Sequence, residues 1–185
     1  VDGTKLQIHS EKYQSTINGM LADEFPALPQ IGGATELSLS ATQLKQAIAQ
    51  TTLCASHDDT RPVLTGVLCH SHEGALYFAA TDGYRLAEKE LMKTTEAVKA
   101  LIPANTLADV ARIIPEDCEE VSILIDEAQV RFRMNDIEVT SRLIDGNFPD
   151  YRQLIPKETE IHASLVRQDF TRVTKIASLF ARESG

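Results

Sequence analysis

The stretch Asp23-Glu24-Phe25-Pro26-Ala27-Leu28-Pro29 returns later in the chain as Asn147-Phe148-Pro149-Asp150-Tyr151-Arg152-Gln153-Leu154-Ile155-Pro156. The two Phe-Pro pairs stand 123 residues apart, Phe25 to Phe148. Extended stretches precede both, at 16–21 and 139–144. Both are followed by Thr-Glu and a short extended run that leads into a helical pattern, at 35–37 and 159–161. A period this long exceeds a solenoid unit and suits a whole domain. The repeat therefore divides the chain into three parts. Residues 1–34 are the end of one domain plus a linker, 35–158 a complete domain, and 159–185 the beginning of a third. The termini read as cuts in a longer protein: Val1-Asp2-Gly3-Thr4 opens without Met, and Ala181-Arg182-Glu183-Ser184-Gly185 follows closely on a helical pattern.

Hydrophobic residues at 43% and charged residues at 24% of the 185 are ordinary globular values. The middle domain is long enough to bury its own core. The net charge is −9, which argues against gripping nucleic acid by bulk charge, while a locally basic surface on an acidic body stays open. Cys54, Cys69 and Cys118 are scattered and odd in number. They make neither a disulfide framework nor a Cys-x-x-Cys metal site and suit a reducing cytoplasm. No apolar run approaches a membrane span, and no signal peptide opens the chain.

Period and turn signals lay out the elements. Leu6-Gln7-Ile8-His9 alternates, and 13–20 reads as a strand. Pro26, Pro29 and Gly32-Gly33 break the pattern and make the linker. Leu37 and Leu39 belong to a short strand. Ser40 with Gln43 fits a capping box ahead of a helix carrying Leu44, Ala47, Ile48 and Thr51. After the break at Arg61-Pro62, strands at 67–70 and 75–81 join through Glu73-Gly74. Asp82-Gly83 signals a tight hairpin into a strand over 84–91. The order then recurs. A strand over 98–102 precedes a helix capped by Asn105 or Thr106 and carrying Leu107, Val110, Ala111 and Ile114. Strands at 121–125, 129–134 and 137–143 follow, with a turn at Asn135-Asp136. The domain is thus strand–helix–three strands, twice over. This predicts an α+β fold with antiparallel sheets and both helices on one side.

Three runs carry a resemblance: Arg61-Pro62-Val63-Leu64-Thr65-Gly66-Val67, Ala80-Thr81-Asp82-Gly83-Tyr84-Arg85-Leu86-Ala87, and Ser141-Arg142-Leu143-Ile144-Asp145-Gly146-Asn147-Phe148-Pro149-Asp150-Tyr151. Joined at this separation, they resemble the bacterial beta sliding clamp, the processivity subunit of the replicative DNA polymerase. The resemblance covers the whole chain: the last part of the family's first domain, all of its second, and the first strand and helix of its third. It implies the DNA-clamp fold and a ring of two subunits, with helices lining a hole for duplex DNA and sheets outside. It implies a non-catalytic tether, with no cofactor, no metal and no membrane partner. The implied partners are duplex DNA, the polymerase alpha subunit, the clamp loader and repair proteins with clamp-binding peptides. Ring closure joins the first domain of one subunit to the third of the other, so this stretch alone is expected not to close a ring. An acidic body with a mildly basic lumen slides rather than grips, since each phosphate contact adds affinity and salt dependence.

The resemblance also implies a hydrophobic pocket for partner peptides at the border of the second and third domains. This chain's share is Leu64, Thr81, Gly83, Tyr84, Arg85, Leu86, Pro149 and Leu154. Leu64, Leu86, Pro149 and Leu154 would form apolar wall. Gly83 would admit a close backbone, and Thr81 and Arg85 would add polar rim contacts. Gln153 stands where the family carries Arg. Taken without the resemblance, the same Asp-Gly is a hairpin turn and the leucines are core. DNA-facing candidates, on or near the two helices, are Lys45, His57, Arg61, Lys99 and Arg112. Asp58, Pro62, Val63, Ala104 and Asn105 depart from the family's basic or aromatic pattern, so contacts to DNA should be weak.

A different class of function is a metal-dependent hydrolase or nuclease using Asp82 and Asp145 with His70 and His72. No nucleophile–base pair, phosphate loop or ligand triad accompanies them. Asp82, Asp145 and Asp150 each adjoin Gly or Pro in turn sequences, where Asp serves the backbone. A third reading is a repeat scaffold without a DNA role.

Overall fold

In the computed structural model, β1 (Lys5–Ser10) and β2 (Tyr13–Asn18) form a two-stranded antiparallel hairpin. The residues described are 3–27, 30–156 and 158–181. Leu28 and Pro29 of the repeated linker segment lie outside them, as do the first two and last four residues of the chain. The chain divides into two compact units, 1–148 and 149–185.

The first unit continues with β3 (Thr35–Ser40), α1 (Ala41–Thr51), β4 (Gly66–His72), β5 (Ala75–Thr81) and β6 (Leu86–Lys93). The second half repeats the order with β7 (Lys99–Pro103), α2 (Ala104–Ile113), β8 (Glu120–Ile125), β9 (Gln129–Met134) and β10 (Ile137–Arg142). The doubled strand–helix–three-strand order is therefore present, in antiparallel sheets. The halves do not form separate sheets, however. One sheet runs β10-β9-β8-β3 and the other β6-β5-β4-β7. Each half gives its first strand to the other: Leu37 faces Ile123, and Leu101 faces Leu68.

Alternation along the strands decides the core. Val67, Cys69, Leu76, Phe78, Ala100 and Ile102 from one sheet join Leu39, Val121, Ile123, Val130, Phe132 and Met134 from the other. Leu44, Ala47 and Ile48 of α1 and Leu107 and Val110 of α2 complete the same cluster. One core thus spans both sheets and both helices.

Three local expectations change. Ser40 is the residue before α1, but its hydroxyl makes no capping bond. The Ala41 N–H donates to the Glu119 carbonyl, 2.9 Å away, so the neighbouring chain satisfies one of the donors left open at the start of the helix. α2 begins directly after Pro103, so Asn105 and Thr106 lie inside it. Thr106 bonds across to Ser141, Oγ1 to Oγ 2.9 Å. The turn after β5 is wider than a two-residue hairpin, because β6 starts only at Leu86. At Glu73-Gly74 both residues take positive φ, and Asn135 does so in the β9–β10 turn, as short hairpins require.

The second unit holds a short 3-10 turn (Tyr151–Leu154) and α3 (Arg167–Ala181). The strand expected at 159–161 does not form: the described residues from 158 to 166 are irregular, since a strand needs a neighbour to satisfy its backbone. No residue of α3 is buried, and Phe170, Val173, Ile176 and Phe180 stand exposed.

Candidate functional site

Five of the expected pocket residues meet in the turn between β5 and β6. Asp82 organises it. Its Oδ1 accepts from the backbone N–H groups of Tyr84 (2.9 Å) and Arg85 (2.8 Å). Its Oδ2 accepts from Arg85 Nε (2.9 Å) and Nη2 (2.8 Å). Two backbone donors and a forked guanidinium fill both oxygens. The Arg85 and Tyr84 amide bonds, with the Arg85 side chain, pull the Asp82 carboxyl down to about 2. Thr81 supports the turn from within, donating to the Arg85 carbonyl (2.7 Å) and accepting from Gly83 N–H (3.1 Å). Gly83 takes φ +94°, a conformation L side chains rarely adopt.

This framework presents Tyr84 outward, 96% exposed, with Leu86 half-buried where β6 begins. Leu64 lies in the 3-10 turn Pro62–Thr65 just before β4 and is buried. The β4–β5 register, Leu68 to Ala79, brings the start of β4 alongside the Thr81 end of β5. Arg61, ahead of that 3-10 turn, places Nη1 3.8 Å from where a Gly83 Cβ would stand. Arg61 thus adjoins this turn, which sequence reasoning had placed with the DNA-facing group. Pro149 and Leu154 belong to the second unit, both exposed, Leu154 at 73%. There Gln153 Nε2 donates to the Asp150 carboxylate.

The DNA-facing candidates do not form one group. Lys45 on α1 donates its ammonium to the Ile114 carbonyl at the end of α2, 2.9 Å away. Arg112 on α2 pairs with Asp109 at 2.8 Å on the surface. His57 borders a cleft of about 500 Å³ with Ser56, Asp59 and the α2 start at Ala104 and Asn105. In the same loop, Asp58 accepts from Thr60 N–H, which with the Thr60 side chain lowers its pKa. Lys99 departs from expectation. It sits on β7, where Ala100 and Ile102 face the core shared with the helices. Strand alternation therefore turns Lys99 to the opposite face.

The alternative metal chemistry finds no support. Asp82 is committed to its own turn. The His70 ring lies tilted by 30° beside Tyr77 with centroids 5.9 Å apart, and His72 lies 3.5 Å from Glu73. Among the described residues no group of three His, Cys, Asp or Glu is placed to hold a metal ion. All three cysteines are buried, and burial pushes the Cys69 thiol up to about 12, so it stays protonated. Among the described residues, no helix is long and apolar enough to cross a membrane.

Comparison with known proteins agrees with this geometry. The family described as DNA polymerase III beta subunit, central domain, matches residues 38–150. The beta sliding clamp of Staphylococcus aureus is 36% identical over 179 residues, covering 96% of this chain and 47% of that protein. The beta sliding clamp of Bacillus subtilis is 35% identical over the same length, with 95% and 47% covered. The chain thus spans about half the length of the curated relatives it matches. Among solved structures, the sliding clamp of Bacillus subtilis superposes with TM-score 0.76 at 35% identity, over 85% of this chain and 42% of that one. A Pseudomonas aeruginosa clamp bound to griselimycin gives TM-score 0.75 at 28% identity, over 86% and 44%. With the doubled unit and the Thr81–Leu86 turn matched by a family profile across the middle of the chain, this chain belongs to the DNA polymerase III beta subunit family, the beta sliding clamps.

Proposed function

We propose that this chain is the central part of a sliding clamp that encircles duplex DNA as a ring dimer in the bacterial cytoplasm. It tethers the replicative polymerase and other partners without catalysing a reaction and without a cofactor. Residues 1–34 would close the first domain, 35–158 form the second, and 159–185 open the third. The observation that carries the reading is clamp sequence along nearly the whole chain, 36% identical over 179 residues.

For the partner site we propose Leu64, Thr81, Gly83, Tyr84, Arg85 and Leu86 from the first unit, to which the family resemblance adds Pro149 and Leu154 from the second. Its support is the turn 82–85, whose carboxylate, threonine and left-handed glycine hold Arg85 and present Leu86 in a set geometry. Preorganised apolar wall with a few fixed polar groups is what peptide recognition needs. A related clamp that holds griselimycin adds support for a ligand site on this fold. DNA contact in this domain falls to Arg112, His57 and Lys45 beside the helices. It is weak, because Lys45 and Arg112 are already engaged.

Titration of the full-length protein with a short peptide carrying the Gln…Leu-Phe clamp-binding motif tests the pocket. Saturable binding that shifts Leu64, Gly83, Leu86 and Pro149, and is lost in Gly83→Glu and Leu86→Ala, is expected. Equal binding by both variants would refute the assignment.

A further inference from the structure

After β10 the chain turns into a strap, 143–146, that runs across to the other sheet. Leu143 N–H donates to the Ala128 carbonyl and Ile144 N–H to the Leu101 carbonyl, each at 2.8 Å. The strap then meets the segment around Leu64 at two points, each of them at a glycine. A Cβ on Gly66 would stand 2.8 Å from Ile144 Cδ1 and 2.8 Å from Leu101 Cδ1. A Cβ on Gly146 would stand 2.6 Å from Val63 Cγ1, and Gly146 takes φ +131°. Distances this short exclude a side chain unless something moves, so backbone and side chain are packed here as closely as a core allows.

The two contacts bracket Leu64 and Thr65. Val63 immediately precedes Leu64, and Gly66 ends the 3-10 turn that holds it. Leu64 is also held through its backbone: its carbonyl accepts from Ser56 N–H at 2.8 Å, and its N–H donates to the Arg61 carbonyl at 3.0 Å. The strap also runs on, within a few residues, to Phe148-Pro149.

We infer that Gly66, Ile144 and Gly146 are positioning residues for the partner-peptide pocket, because the strap they seat holds the turn 62–65 and so sets where Leu64 stands. The inference rests on the pocket reading above. In that reading none of the three touches peptide. They act through Leu64, as a supporting shell acts on the residues that meet a ligand.

The test uses the full-length protein and a fluorescent peptide with the Gln…Leu-Phe motif. Val63→Ile adds a methyl against Gly146, Gly66→Ala pushes on Ile144, and Ile144→Ala empties the contact. Ile123→Val, in the core face of the other sheet, serves as a control for lost stability alone. We expect the three strap-region variants to bind about tenfold more weakly, the scale of a site left slightly loose. The control, whatever its melting temperature, should bind as the unmodified protein does. The Leu64 methyl resonances, read without peptide, should move in the three variants and stay in the control. Unchanged affinity with unmoved Leu64 methyls in Val63→Ile and Ile144→Ala would overturn the inference. If the unmodified protein fails to bind, the pocket reading fails, and the Leu64 methyls alone still decide whether the strap positions that residue.

Discussion

Asp82 shows how one side chain can organise a whole turn. Its two oxygens close the turn on Tyr84 and Arg85, and the same bonds hold its carboxyl at about 2 instead of 3.8. A depressed folded-state pKa contributes stability that is fully present above the ordinary value and is lost as pH falls through the lower one. The turn should therefore be intact at pH 4 and loosen only as pH drops toward 2. The amide resonances of Tyr84 and Arg85, followed by NMR, should titrate with a midpoint near the lower value. A midpoint near the ordinary value would contradict the hydrogen-bonded geometry. In sequence, Asp-Gly announced a turn but not its width. The signal that sets the width is the Asp82–Arg85 pair, three residues apart, whose side chains meet only when the loop holds four residues. Lys45 and Lys99 illustrate the opposite limit. Each reads as a free cation, but what Lys45 bonds and which face Lys99 takes depend on neighbours far along the chain.

At the scale of elements, the strand and helix order was legible because apolar residues recur at period two or near four. The exchange of β3 and β7 between the halves was not, since two halves of the same element order allow either arrangement on paper. The caps were misread because residue type alone does not fix where a helix starts or what meets its first N–H groups: Ser40 makes no capping bond, and the Ala41 N–H finds the Glu119 carbonyl, distant in sequence. The exchange has a consequence for stability. Neither four-stranded sheet can form without both halves, so the two sheets should open together. Leu44 is fully buried on α1 within the shared core. Leu44→Ala should cost about 2–5 kcal/mol in denaturant unfolding. Hydrogen exchange should show β3 and β7 losing protection to the same extent in that variant. Loss confined to the sheet that holds β4 and β5 would contradict a single core.

For the whole molecule, apolar surface is unevenly covered. The domain built from β3 to β10 buries large side chains such as Phe78, Phe132 and Leu44, whereas α3 exposes Phe170, Val173, Ile176 and Phe180. A helix of 15 residues with nothing buried is marginal in water. In this 185-residue chain its amides should exchange much faster than those of β4 and β5, read by hydrogen–deuterium exchange. Equal protection would mean that its apolar face is covered in solution. In sequence, the repeated Phe-Pro segment proposes a whole-domain period, and the two compact units, 1–148 and 149–185, divide the chain within its second copy.

The central claim is that the protein holds DNA by enclosing it. The direct measurement loads the full-length protein, with its clamp loader, onto nicked circular duplex and follows retention by gel filtration before and after a single restriction cut. Topological tethering predicts stable retention on the circle at moderate salt and release once the DNA is linear. Equal retention on circular and linear DNA, or loss from both as salt rises, would mean surface binding and would contradict the account.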